Sequence, residues 1–168
     1  MKIIQITDTH LMQRGTELLG LNPYERLDAC IASIIEFHAD AELCIITGDL
    51  TDQAHRKAYQ DFREILQQLP MLFHPLVGNH DPSRIFSEVF PEVPLDKDGF
   101  VQQVLETPAG NFLFLDTVEH GNHWGSFCEK RGHGSRLSWK QPEQNQSIFS
   151  CTIRSEEHTS ELQSRETI

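Results

Sequence analysis

Short apolar runs alternate along the first half of the chain with stretches in which apolar residues recur at helical spacing. Residues 2–7 (KIIQIT) are β-rich and stop at Asp8, which predicts a buried strand. A polar, glycine-containing loop over residues 8–22 follows. Asn22 and Pro23 then stand as N-cap and first helical position, with Glu25 in the first turn. Leu27, Cys30, Ile31, Ile34 and Ile35 continue on one helical face. Residues 42–47 (ELCIIT) predict a second strand running into Gly48 and Asp49. Ala58, Phe62, Ile65, Leu66 and Leu69 mark a second helix. Residues 71–77 predict a third strand, which ends at GNHD, and Pro82 forces the next element to begin.

Strand and helix in alternation predict a parallel sheet with crossover helices, an α/β fold. Residues 100–105 and 111–116, joined by Pro108, Ala109, Gly110 and Asn111, read as a hairpin, so pairing turns antiparallel near residue 100. Beyond Cys128 the apolar period is lost. The segment RSEEHTSELQSRETI (154–168) is similar to the translation of a sequencing-library adapter, and the stretch 132–153 then reads as aberrant coding sequence. A disordered tail rich in Ser, Gln and Glu is the other reading. The expected division is therefore a domain over 1–128 and an aberrant or disordered tail over 129–168.

Composition narrows the function. The 168 residues suffice for one domain with a real core. A formal net charge of −11 excludes sequence-independent nucleic-acid binding, which needs a basic face to displace counterions. The four cysteines (Cys30, Cys44, Cys128, Cys151) form no C-x-x-C pair. Cys30 and Cys44 sit in apolar runs, where they are expected to pack as small core residues. That usage fits a reducing cytoplasm. The start MKIIQI meets Asp8 too early for a signal peptide, and no apolar stretch is long enough to span a membrane.

The chemistry gathers at the strand ends. The first strand delivers Asp8 and His10 (TDTH), the second Asp49 and Asp52 (GDLTD), the third Asn79, His80 and Asp81 (GNHD). In a parallel sheet these ends lie on one edge, where open α/β folds bind ligands. Carboxylates, imidazoles and an amide oxygen facing one another need a cation, and hard or borderline divalent metals take such ligands. Two metals about 3.5–4 Å apart and sharing a carboxylate can clamp a phosphoryl group, and Asp49 on the middle strand is the natural bridge. Each motif alone has a plainer reading: a turn with a satisfied histidine for D-x-H, a turn with Asp52 capping the next helix for GDLTD.

In order, the three motifs resemble the calcineurin-like metallophosphoesterases, whose pattern is D-x-H, G-D-x-x, G-N-H-[DE], a lone His, then G-H-x-H. Residues 12–27 (MQRGTELLGLNPYERL) and 112–117 (FLFLDT) are similar to the class III cyclic-nucleotide and glycerophosphodiester phosphodiesterase branch. The resemblance implies two mixed sheets flanked by helices, of which this chain would carry the N-terminal part. It implies hydrolysis of a small phosphodiester through two divalent ions (Mn, Fe, Zn or Co) and a bridging hydroxide. Asp8 and His10 would bind the first metal, Asp49 would bridge, and Asn79 would bind the second. His80 would protonate the leaving alkoxide with Asp81 fixing its orientation. A homo-oligomer of the complete protein is compatible with this reading.

The sequence departs from the pattern after residue 118. Gly132-His133 is followed by Ser135 where a second His belongs. His120 and His123 (EHGNHWG) stand near the site in this branch or are exposed loop residues. His38, His55 and His74 read as surface or core-edge residues. With only Asp49 and Asn79 for the second metal, the chain as written is expected not to be a competent enzyme, and Phe112 and Phe114 are expected to be poorly buried. The alternative is a non-catalytic metal-binding or protein-interaction module on the same fold. A leaving-group acid at His80 speaks against it. A covalent phosphatase using Asp8 would need an Asp where His10 stands.

Overall fold

A computed structural model describes residues 1–119 and 125–132 and the backbone of 148–152. Strands β1 (Ile3–Thr7), β2 (Leu43–Thr47) and β3 (Leu72–Leu76) form a parallel sheet in the order β1-β2-β3. Helices α1 (Pro23–His38) and α2 (Arg56–Leu66) make the crossovers, and α3 (Ser83–Val89) follows β3. Strands β4 (Gln103–Thr107) and β5 (Gly110–Leu115) form the expected hairpin, with ends shifted by a few residues. Strand β6 (Ile148–Thr152) pairs parallel to β5 and makes the second sheet mixed. The loss of apolar period around it gave no cue to that strand.

The alternation of β2 explains how the layers join. Every residue of β2 is buried. Cys44 and Ile46 join the helix-side core with Ile31, Phe62 and Leu66, while Leu43 and Ile45 face the second sheet and pack with Leu76, Phe112 and Phe114. The two phenylalanines are therefore buried, at 3% and 0% exposure, contrary to expectation. The first sheet covers one face of the hairpin through Leu43, Ile45 and Leu76, and β6 pairs along β5. The chain just past residue 128 packs back on the residues before it. Arg131 is buried, lies 4.5 Å over the Phe100 ring, and donates to the Ser126 carbonyl at 3.1 Å.

Helix α1 begins as read: the Asn22 side chain accepts from Glu25 N at 3.4 Å, and Pro23 is the first helical residue. Its buried stripe is narrower than expected. Leu27, Ile31 and Ile34 are buried, but Cys30 and Ile35 are exposed because they flank the line of contact with the sheet.

His74 corrects another expectation, being a buried residue between the sheets. Its ring stacks on Phe114 at 3.9 Å, and Gln103 Nε2 donates to Nδ1 at 2.8 Å. Burial lowers its pKa from 6.5 to about 4. Between those values the unfolded chain binds the proton and the folded chain does not, so this contribution to stability is present above pH 6.5 and lost as pH falls toward 4. The loss is on the order of 3 kcal/mol. Asp81, whose carboxyl is pushed up to about 6, titrates in the opposite sense over part of this window. Urea denaturation of wild type and His74→Gln at neutral and acid pH cancels that common term. Wild type should lose stability relative to the variant as pH falls, and a pH-independent difference would contradict the assignment.

Candidate metal centre

Backbone pairing continues past the strand ends and sets the site. His10 N donates to Asp49 O at 2.8 Å and Leu11 N to Leu50 O at 3.0 Å, so the loops after β1 and β2 run side by side. Gly48 N donates to Leu76 O at 3.2 Å, which holds the end of β3 against the same turn. Asp8, His10 and Asp49 all have positive φ (53°, 41° and 40°). Non-glycine residues adopt that region at a cost, and such residues cluster at functional sites.

Gly78 makes the third approach. A Cβ there would overlap Asp49 N and Asp49 Oδ1 and lie 2.9 Å from the Gly48 carbonyl carbon. Only glycine lets β3 bring Asn79 and His80 this close to Asp49.

Three side chains converge. One donor atom from each of His10, Asp49 and His80 lies within 4.8 Å of the others. Asp49 is the hinge of the group: Oδ1 accepts from His80 N at 3.0 Å, and Oδ2 lies 3.8 Å from His10 Nε2. The His10 and His80 rings meet edge to face at 5.1 Å. Asn79 Oδ1 is buried without a hydrogen-bond partner. A buried amide oxygen without a partner, one residue before His80, together with the Asp49 carboxylate and the His10 imidazole, is a donor set of the kind a divalent cation takes, so these residues fit one. Asp8 stands outside the three-residue group; it is exposed and accepts from Thr7 Oγ1.

The orienting partners differ from those expected. His80 Nδ1 lies 2.8 Å from the Asp52 carbonyl, which can only accept, so Nδ1 carries a proton and Nε2 is the free nitrogen. Burial alone would lower the His80 pKa. The Asp52 carbonyl and the charges of Asp49, Asp52 and Asp81 outweigh it and raise the pKa above its ordinary value. Asp81 is not the ring's partner. Its carboxylate accepts from Leu50 N (2.9 Å), Thr51 N (3.2 Å), Gly78 N (2.8 Å) and Tyr59 Oη (2.6 Å), tying the GDLTD loop to GNHD. Asp52 does not cap α2, whose N-cap is His55; its Oδ1 lies 3.3 Å from His10 Nδ1. Tyr59 is the site residue that sequence reasoning missed, and Asp52 was placed at the strand end but read as a helix cap. Tyr59 was legible as an apolar-face position three residues before Phe62. His120, His123 and His133 lie outside the described residues.

The model of a family described as "Calcineurin-like phosphoesterase" matches residues 1–162. The chain belongs to that family. Calcineurin-like phosphoesterases use divalent metals, and the cluster at the strand ends is the candidate site for them here. A Rhodopseudomonas palustris protein named "Probable cyclic nucleotide phosphodiesterase" is 40% identical over 133 residues, covering 78% of this chain and 48% of its own length. An Arcobacter nitrofigilis "Probable glycerophosphodiester phosphodiesterase" is 26% identical over 147 residues, 86% of this chain and 52% of its own. A 3',5'-cyclic adenosine monophosphate phosphodiesterase of Escherichia coli K12 is 38% identical over 81 residues, 48% of this chain and 30% of its own. The chain thus spans about half, or less, of the length of these curated relatives. Among the described residues no helix is long and apolar enough to cross a membrane.

Proposed function

We propose that the chain carries part of the active site of a metal-dependent phosphodiesterase acting on small phosphodiesters of the cyclic-nucleotide or glycerophosphodiester type. The observation that carries this reading is the convergence of His10, Asp49 and His80 within 4.8 Å, with a buried, unsatisfied oxygen on Asn79, the residue before His80. Two divalent ions drawn from Mn, Fe, Zn and Co suit these ligands. Asp8, His10 and Asp49 would hold the first, and Asp49 and Asn79 the second. Bound ions of this kind supply positive charge to a phosphoryl group and lower the pKa of water.

The protein's own residues supply positioning and the proton. Asp49 ties the β1 and β3 loops together, so one carboxylate serves both metal positions. The Asp52 carbonyl fixes the His80 ring with Nε2 free. A raised pKa keeps that ring protonated nearer neutral pH, and Nε2–H can pass its proton to the leaving oxygen of the ester. Departure of an alkoxide needs that proton far more than departure of a nitrophenolate.

His80→Ala tests the assignment. In the protein completed to the length of its relatives, with saturating Mn²⁺, hydrolysis of adenosine 3',5'-cyclic monophosphate should fall about 10²–10⁴-fold. Hydrolysis of bis(p-nitrophenyl) phosphate should fall less, and bound metal should be retained. Loss of an ion from the variant would make His80 a ligand. Absence of metal-dependent hydrolysis of both esters by the wild-type protein completed to the length of its relatives would sink the phosphodiesterase reading.

A further inference from the structure

A cleft of about 410 Å³ opens beside Asp8 and His10 and runs between the residue 18–21 loop and the first turns of α1. That volume lies within the roughly 300–1,000 Å³ usual for small-ligand sites. Its walls are mostly hydrocarbon, from Ile6, Leu18, Leu21 and Leu27. Leu19 also lines it and is 96% exposed, and Leu21 is 51% exposed. Apolar side chains held open to water beside a polar centre are a feature of ligand-binding grooves.

Arg26 is the cation of this cleft. Among the described residues every other arginine has a partner. Arg14 lies over Tyr24 at 4.6 Å, Arg63 and Arg84 pair with Glu92 and Glu88 at 3.2 and 3.7 Å, Arg56 pairs with Glu88, and Arg131 covers Phe100. Among the described residues no carboxylate or ring partners Arg26, in a chain of net charge −11. A guanidinium left free offers a planar fork of donors and a flat face for stacking.

We infer that this cleft is a subsite for a nucleobase: the leucines cover the faces of a planar nitrogen heterocycle, and Arg26 donates to or stacks on it while the phosphate sits at the strand ends. The inference deepens the phosphodiesterase reading and rests on it for the phosphate end. A glycerol substituent would gain nothing from these walls, since a polyol is better solvated by water than by leucine side chains. A base gains from burial of its faces and from charge-assisted hydrogen bonds at its acceptor atoms. Arg26 is then a specificity-determining residue, and the 18–21 loop a substrate-contacting segment.

The test uses the full chain and phosphate-free probes, so that it reads the cleft alone. In leucine-methyl NMR spectra adenosine should shift Leu18, Leu21 and Leu27, and ribose should not. Arg26→Leu should weaken adenosine binding roughly tenfold or more, the worth of a hydrogen bond to a charged group. Arg26→Lys should recover part of that loss, because an ammonium keeps the charge without the fork. Ribose binding as well as adenosine, shifts confined to other leucines, or an Arg26→Leu variant with unchanged affinity would each overturn the proposal. Hydrolysis of bis(p-nitrophenyl) phosphate without adenosine binding would sink the subsite and leave the phosphodiesterase reading standing. Adenosine binding with no phosphodiester hydrolysis by the protein completed to the length of its relatives would do the reverse.

Discussion

Gly78→Ala should cost the protein its metal site while leaving every candidate ligand in place. The added methyl would collide with the backbone nitrogen and the carboxylate of Asp49, neither of which can step aside without moving a strand end. Relief requires β3 to withdraw from the Gly48–Asp49 turn, which separates Asn79 and His80 from Asp49. Overpacking of this kind costs about 1–3 kcal/mol, or roughly 2–4 °C of Tm per kcal/mol for a chain of this size. The larger effect is on function. A displacement near 1 Å costs on the order of 10²-fold in a positioned site, so Mn²⁺ affinity and phosphodiester turnover should both fall by about that factor. Calorimetric metal titration beside a thermal melt checks this. A variant with wild-type affinity and Tm would show that the close approach does not hold the site.

Asp81→Ala should be among the most destabilising single changes in the chain. The carboxylate is 1% exposed and accepts four hydrogen bonds, three from backbone N–H groups and one from Tyr59. Deleting it strands four donors where water does not reach, and each such donor costs about 1–3 kcal/mol. A total of about 4 kcal/mol or more is a large part of the roughly 5–15 kcal/mol that holds a domain together. Asp81→Asn keeps one acceptor oxygen and should cost less. Tyr59→Phe removes one donor and leaves the carboxylate three others, a change near 1 kcal/mol. Urea denaturation should rank the variants Ala, Asn, Phe in falling cost. The same series separates two roles for Asp81. An Asp81→Asn protein of wild-type stability and lowered turnover would restore it as the orienting group of His80. Equal costs for Tyr59→Phe and Asp81→Ala would contradict the four-donor clamp.

The sequence carried the first sheet well because its signals are local. Apolar runs of five residues, Asn22 and Pro23 at a helix start, and polar clusters after each strand all follow from nearest-neighbour chemistry. The alternation predicts parallel pairing, whereas the strand order that places β2 in the centre, and hence Asp49 between His10 and His80, is set by the fold. What failed was set by tertiary contact. His74 looks like an edge residue in the sequence because nothing near it says that Phe114 and Gln103 will cover it. Asp52 looks like a cap because GDLTD precedes a helix, yet Ala54, at φ 53°, turns the chain first and the helix begins at Arg56. Asp81 and His80 are neighbours in sequence, which suggested a pair. Consecutive residues point apart, so one side chain went to the buried clamp and the other to the site.

The central claim is that three strand-end motifs, far apart in sequence, form one divalent-metal centre about Asp49. Anomalous diffraction from crystals of the chain soaked in Mn²⁺, collected at the manganese edge, tests it most directly. The account predicts a peak within coordination distance of both Asp49 and His10, with a second peak at saturating metal beside Asn79. A peak at other residues, or none within reach of Asp49 at saturating metal, would contradict it.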